Sequence, residues 1–176
     1  EQGLLGSEYF AEHPLWPKDH IVGVINTDAN GPQPVAHDMS LSGNGQSHLE
    51  DYLAAALKAQ GRVVSPDPQP EKGGFFRSDH FSLARQGIPA ISPGGGQDLV
   101  VGGPVAGKAL ADDYTDHRYH QPSDEWKADW DLSGPLLDLQ ALYMTGVALA
   151  NSDDWPGWYD GSEFKAARDA TMANKK

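Results

Sequence analysis

An α/β layered fold is what this sequence predicts, on three observations. Residues 20–28, HIVGVINTD, carry Ile21, Val22, Val24 and Ile25 as a nearly continuous β-branched run, the pattern of a strand covered on both faces. The helix-like stretch EDYLAAALKAQG leads into a candidate short strand at Arg62–Ser65, and the helix-like DHFSLARQG leads into the apolar IPAIS. Two helix-then-strand units beside a buried strand imply an α/β layered fold.

The 176 residues suffice for one domain with a sizeable core, since a chain of this length buries about 70% of its unfolded surface. Twenty-five acidic against thirteen basic residues give a net charge of −12, which repels phosphate backbones and argues against a nucleic-acid partner. Without cysteine there is neither a disulfide framework nor a thiolate metal site, so a transition metal has to be held by His, Asp and Glu. No apolar run reaches the ~20 residues of a membrane span. The longest candidate, Leu136 to Ala150, is interrupted by Asp138, Gln140 and Thr145.

The elements follow in order. Leu4, Leu5, Tyr9 and Phe10 recur at one-turn spacing and predict a short amphipathic helix stopped by Pro14. Asp28 ends the first strand, and residues 29–46, rich in Gly, Pro, Asn and Asp, read as a polar loop. Ser47 and Glu50 have capping-box spacing at the head of the next helix, which Gly61 ends. After the Pro-rich connector SPDPQPEKGG, Ser78 is the expected cap of a second short helix and Gly87 its stop. From Gly94 to Arg118, 25 residues with six glycines show no sustained period and read as a long functional loop. Pro135 to Ala150 is then a long helix with Leu136, Leu139, Leu142, Tyr143 and Val147 on one face. Residues 151–176 form a tail whose final helix spans about 162–173.

One motif fails. Gly102 to Ala109 matches the Gly-x4-Gly-Lys core of a phosphate-binding loop, but Ala109 stands where magnesium requires a Ser or Thr hydroxyl. The acidic LADDYTDH that follows is also unsuited to a helix beside a triphosphate. Of the histidines, His13, His20, His37 and His48 have bland solvated readings. His117 and His120 sit three apart in DDYTDHRYHQPSDEW, a polar, aromatic segment that invites a site. Glu1, Asp28 and His120 together offer carboxylate and imidazole donors, and ligands of open α/β sheets collect at the carboxyl ends of strands. Such donors with no thiolate suit a hydrolytic zinc site that keeps coordination positions open for water.

Four stretches in order, EQGLLGS, INTD, RSDHFSLARQGIPAI and RYHQPSDEW, resemble the M28 zinc peptidases, which include bacterial aminopeptidases and glutamate carboxypeptidases. The family's motifs are a Glu-Glu-x-Gly-Leu-x-Gly-Ser block, an Asn-x-Asp strand end, a Ser-Asp-His segment before a Gly-Ile-Pro strand, and a late His. The resemblance implies a three-layer α/β/α zinc-exopeptidase-like fold with a mixed, largely parallel sheet, and two zinc ions. It implies that Glu1 and His120 share one metal and that Asp28 ligates the other. Tyr119 is then the tyrosine that hydrogen-bonds the tetrahedral intermediate, with a packed loop aromatic as its plain alternative. Asp79 is an acid orienting a ligand, although a helix dipole alone would explain an Asp there.

The same resemblance implies an upstream His-x-Asp pair and a general-base Glu just before Glu1, neither of which occurs in these residues. Residues 1–176 are therefore expected to be the C-terminal part of a single catalytic domain, its Gly-rich active-site loop at about 94–118. Alone, the chain is expected to be inactive, and its bared surface to self-associate or to receive the missing N-terminal portion. The implied activity is that of an exopeptidase on a peptide substrate, an aminopeptidase first, secreted or periplasmic as many relatives are. A non-catalytic peptidase-like binding module and a glutaminyl cyclase-like acyltransferase are the alternatives.

Overall fold

The computed structural model describes residues 3–28, 30–173 and 175. Four strands, β1 (Val24–Ile25), β2 (Asp38–Ser42), β3 (Val63–Pro66) and β4 (Ala90–Gly95), form one sheet in the order β1-β4-β2-β3. β1 runs parallel to β4 with Val24 opposite Ala90 and Ile25 opposite Ile91; β3 runs parallel to β2, and β2 is antiparallel to β4. The sheet is mixed and largely parallel, as the resemblance implies.

Helices cover both faces. Side chains of adjacent strand residues point to opposite sides, and Ile25 and Ile91 face one core while their neighbours Val24 and Ala90 face another. On the Ile91 side lie α2 (Leu49–Ala59) and α5 (Ser133–Ala150). Leu49, Leu53 and Leu57 of α2 recur every fourth residue as a fully buried stripe, each contributing roughly 1.5–3 kcal/mol by leaving water. On the Ala90 side lie α3 (His80–Ala84), with α1 (Leu5–Glu12) packed on it through Ala11, Leu83 and Ile88. Three layers result.

The expected capping box is present. Glu50 Oε1 accepts the Ser47 N–H at 2.9 Å, and Ser47 Oγ accepts the Leu49 N–H at 3.2 Å. Gly87 likewise stops α3: its φ is +82°, and a Cβ there would lie 2.4 Å from the Arg168 nitrogen. The C-terminal tail is tied to this point, because Trp158 is buried and its Nε1–H donates to the Gly87 carbonyl at 2.9 Å. α6 (Lys165–Ala173) follows it.

Several expectations change. The β-branched run yields a strand only at Val24–Ile25, while Ile21 and Val22 pack against the cores before it. β2 lies inside the stretch read as a polar loop, with Met39 and Leu41 buried at period two between serines. Ser78 does not cap α3, because its hydroxyl is engaged elsewhere, as described below.

The expected 94–118 loop is largely a helix, α4 (Gly103–His117). Gly107 serves packing: a Cβ there would lie 2.0 Å from the Gln97 carbonyl oxygen, so only glycine lets α4 seat there. Two of its acids are paired, Asp112 with Lys108 four residues back and Asp113 with Arg118 at 2.6 Å.

α5 presents the opposite face to the one expected. Leu136, Leu139, Tyr143 and Val147 are 60%, 54%, 73% and 41% exposed, and of the five named residues only Leu142 is buried. The helix is apolar nearly all round, so hydrophobic period does not choose its inner face. Small residues do. A Cβ at Gly134 would lie 2.6 Å from the Gln33 carbonyl oxygen, and Ala141 and Thr145 are fully buried. An ion pair fixes the rotation. Arg62 donates to Asp138 Oδ1, to the Asp38 carbonyl at 2.7 Å and to the Ala36 carbonyl at 2.9 Å. Burial pushes the Asp138 carboxyl upward in pKa, and the Arg62 guanidinium opposes that shift.

Candidate active site

β1 and β4 are parallel neighbours, and the residues just past the end of β1 open onto a cleft. Asn26 is held to β4 by its N–H, which donates to the Ile91 carbonyl at 2.9 Å. Its side-chain amide donates to Ser78 Oγ at 2.9 Å and to Ser92 Oγ at 3.4 Å. Ser78 Oγ in turn donates to Asp28 Oδ2 at 2.7 Å. A hydroxyl has one proton to give, so these bonds have a direction: amide to serine to carboxylate. Ser78 is buried and Asp28 is exposed, so a fixed hydroxyl orients a carboxylate that reaches solvent.

Asp28, Ser42, Arg77, Ser78, Ser92 and Tyr119 line a cleft of about 220 Å³. A larger one of about 590 Å³ adjoins it and shares Ser42, Gly74, Arg77 and Tyr119. Its far wall is the inner side of α4, from Gly107 to Thr115, and its rim carries Lys72 and Arg118.

The segment after α4 is pinned at several points. The Tyr119 N–H donates to the Tyr114 carbonyl at 2.9 Å, and the Tyr114 hydroxyl donates to Asp124 at 3.0 Å. Burial, then Asp124, raises the Tyr114 pKa, so this phenol stays a donor. His120 stacks on Tyr119 with ring centroids 3.9 Å apart and planes 20° from parallel. Its φ of +58° is the one positive value at a non-glycine among the described residues. Backbone in this region is uncommon outside glycine, Asn, Asp and His.

Of the residues singled out in the sequence, Glu1 lies outside the described residues. Asp28 and Tyr119 are brought to one cleft, and His120 stacks on Tyr119. Asp79 is exposed at the start of α3 and makes no capping bond. Its charge, like that of Asp28, acts on His80. His80 is fully buried, stands edge-on to Phe75 at 4.6 Å, and neither ring nitrogen has a hydrogen-bond partner. Burial lowers its pKa from 6.5 to about 4, against the upward pull of Asp28 and Asp79.

Among the described residues no group of three or more His, Cys, Asp and Glu lies close enough to hold a metal ion. The donors that are present have the right chemistry for zinc: a carboxylate oriented by a serine at Asp28, an imidazole at His120, and no competing thiolate. Sequence reasoning missed the parts played by Asn26, Arg77 and Ser78. The signal for Asn26 and Ser78 was there, in the motifs INTD and RSDH, but nothing in one dimension says that the two meet.

A family model for peptidase family M28 matches residues 1–144. No curated protein and no solved structure matches the chain. The matched region contains every residue that lines the two clefts, together with His120. The chain belongs to peptidase family M28, a family of zinc-dependent peptidases.

Proposed function

We propose that this chain contributes to a zinc-dependent exopeptidase, an aminopeptidase first, with Asp28, His120 and Glu1 as metal ligands. The observation that carries this reading is the donated chain from Asn26 through Ser78 to Asp28 at the mouth of a cleft shared with Tyr119. A ligating carboxylate needs such support to hold its orientation. Bound zinc would supply Lewis acidity, acidifying water and polarising the scissile carbonyl.

The chain's own residues bind and orient. Asp28 presents one oxygen already fixed by Ser78. His120 offers an imidazole nitrogen whose ring is set by stacking on Tyr119. The Tyr119 hydroxyl is the donor for negative charge developing on the carbonyl oxygen. Asp79 acts at a distance, through its charge. The proton transfer from water to the leaving amine needs a general base, and no His-x-Asp pair occurs in these 176 residues. Hydrolysis by these residues alone is not expected.

The experiment is metal analysis of the full-length protein with hydrolysis of an aminoacyl p-nitroanilide, before and after chelation. Stoichiometric zinc, activity lost on chelation, and loss of both in Asp28→Ala and His120→Ala support the reading. Activity that survives chelation defeats it. A non-catalytic binding module is the second reading; it requires peptide binding with no released amino acid. Ring closure in place of release would indicate the cyclase chemistry.

A further inference from the structure

The larger cleft is cationic in a protein of net charge −12. Lys72, Arg77 and Arg118 line it, and the one carboxylate among its lining residues is Asp67. Asp67 is already engaged, its Oδ1 accepting the Gln69 N–H at 2.8 Å and its Oδ2 the Ser42 hydroxyl at 3.4 Å. Among the described residues, Lys72 and Arg77 have neither an ion-pair nor a side-chain hydrogen-bond partner. Arg118 pairs with Asp113, yet its Nε–H is buried without an acceptor. Three cations line this cleft, Lys72 and Arg77 exposed and unpaired, and a cleft lined by one sign of charge concentrates ions of the other.

Arg77 is the cation common to both clefts, and Ser78, next to it, holds Asp28. A guanidinium presents two parallel donors that match a carboxylate, which an amide side chain cannot reproduce at full charge. We infer that the larger cleft binds the carboxylate of an acidic peptide residue, with Arg77 as the specificity-determining group and Lys72 and Arg118 adding to the field. This deepens the exopeptidase reading and rests on it only for the reaction, not for the binding.

The test separates the two. Binding of the dipeptides Ala-Glu and Ala-Gln to this chain is measured by titration calorimetry or NMR shift mapping in the presence of chelator, so no metal or catalysis is needed. The acidic dipeptide is expected to bind about tenfold tighter than its neutral isostere, with the preference shrinking as salt rises. Arg77→Gln should bring the ratio close to one, and Arg77→Lys should keep part of it. Circular dichroism of each variant distinguishes a lost site from a lost fold; if Arg77→Gln fails to fold, Lys72→Gln, which should lower the ratio, takes its place. Equal binding of the two dipeptides, or a preference untouched in folded Arg77→Gln, overturns the proposal. Selective binding with no hydrolysis by the full-length protein would leave the cleft assignment standing and remove the peptidase reading. Hydrolysis with no preference for acidic residues would do the reverse.

Discussion

The Ser78 hydroxyl donates to Asp28 Oδ2 at 2.7 Å while accepting from the Asn26 amide at 2.9 Å, so one serine links the end of a strand to the start of a helix. It does so at the expense of the helix cap that its position in the sequence advertises. Ser78→Ala should therefore cost modest stability, on the order of 1 kcal/mol for each of its two lost hydrogen bonds. Its effect should fall on metal affinity, which loss of an orienting partner typically lowers 10- to 100-fold. Chelator competition on the full-length protein measures the second quantity and urea unfolding the first. A variant that loses stability but holds zinc normally would refute this role.

His80 predicts a pH dependence. Its folded pKa is about 4 against 6.5 for the free side chain, because burial penalises the imidazolium. Between those values the unfolded chain binds a proton that the folded chain refuses. The stability conferred is thus complete above about pH 6.5 and is lost as pH falls towards 4, a total of roughly 3 kcal/mol from this residue. His80→Phe should flatten the curve in that window. It should also stabilise the chain near neutral pH by about 1 kcal/mol, since two unpartnered polar atoms are replaced by ring carbons beside Phe75. Urea unfolding of the metal-free chain across the window checks both, and parallel curves for the two proteins would refute the prediction.

The buried pair Arg62–Asp138 should behave asymmetrically. Removing one partner leaves a charge stranded, so Asp138→Ala should cost about 3–5 kcal/mol. The double variant Arg62→Met with Asp138→Leu should recover most of that, because no ion is then left in the core. A double-mutant cycle in urea reads the coupling. Equal losses in the single and double variants would mean that the pair does not fix α5.

Much of this was legible in one dimension, and the failures have physical causes. Helix stops at glycine, the Ser47–Glu50 cap and the helix-then-strand order depend on local chemistry, which sequence shows directly. β2 was missed because Met39 and Leu41 are the only apolar side chains in a five-residue strand whose neighbours are polar. α4 was missed because Gly107 is dictated by contact with Gln97, so it mimics a loop residue. At the site, the residue types named a chemistry and the structure named partners. Asp28 and Tyr119 were visible as candidates, but the relay from Asn26 through Ser78 joins positions 52 and 50 residues apart in sequence.

The inverted face of α5 leads to the last prediction. Leu136, Leu139, Tyr143 and Val147 stand three to four residues apart on the solvent side of α5. Asp138, the only charged residue in the helix, points inward to Arg62. A second copy of the chain can therefore pack helix against helix along this stripe without bringing like charges together, although the protein as a whole carries −12. One helix face offers less than the ~800 Å² per partner of a stable interface, so the association should be weak and depend on concentration. Sedimentation of the chain should show the mean mass rising with concentration. The variant Leu139→Lys with Tyr143→Lys should sediment as a monomer with an unchanged helical spectrum, because both positions face water in the single chain. A wild-type chain that stays monomeric at the highest concentration reached would show that the stripe does not self-pair.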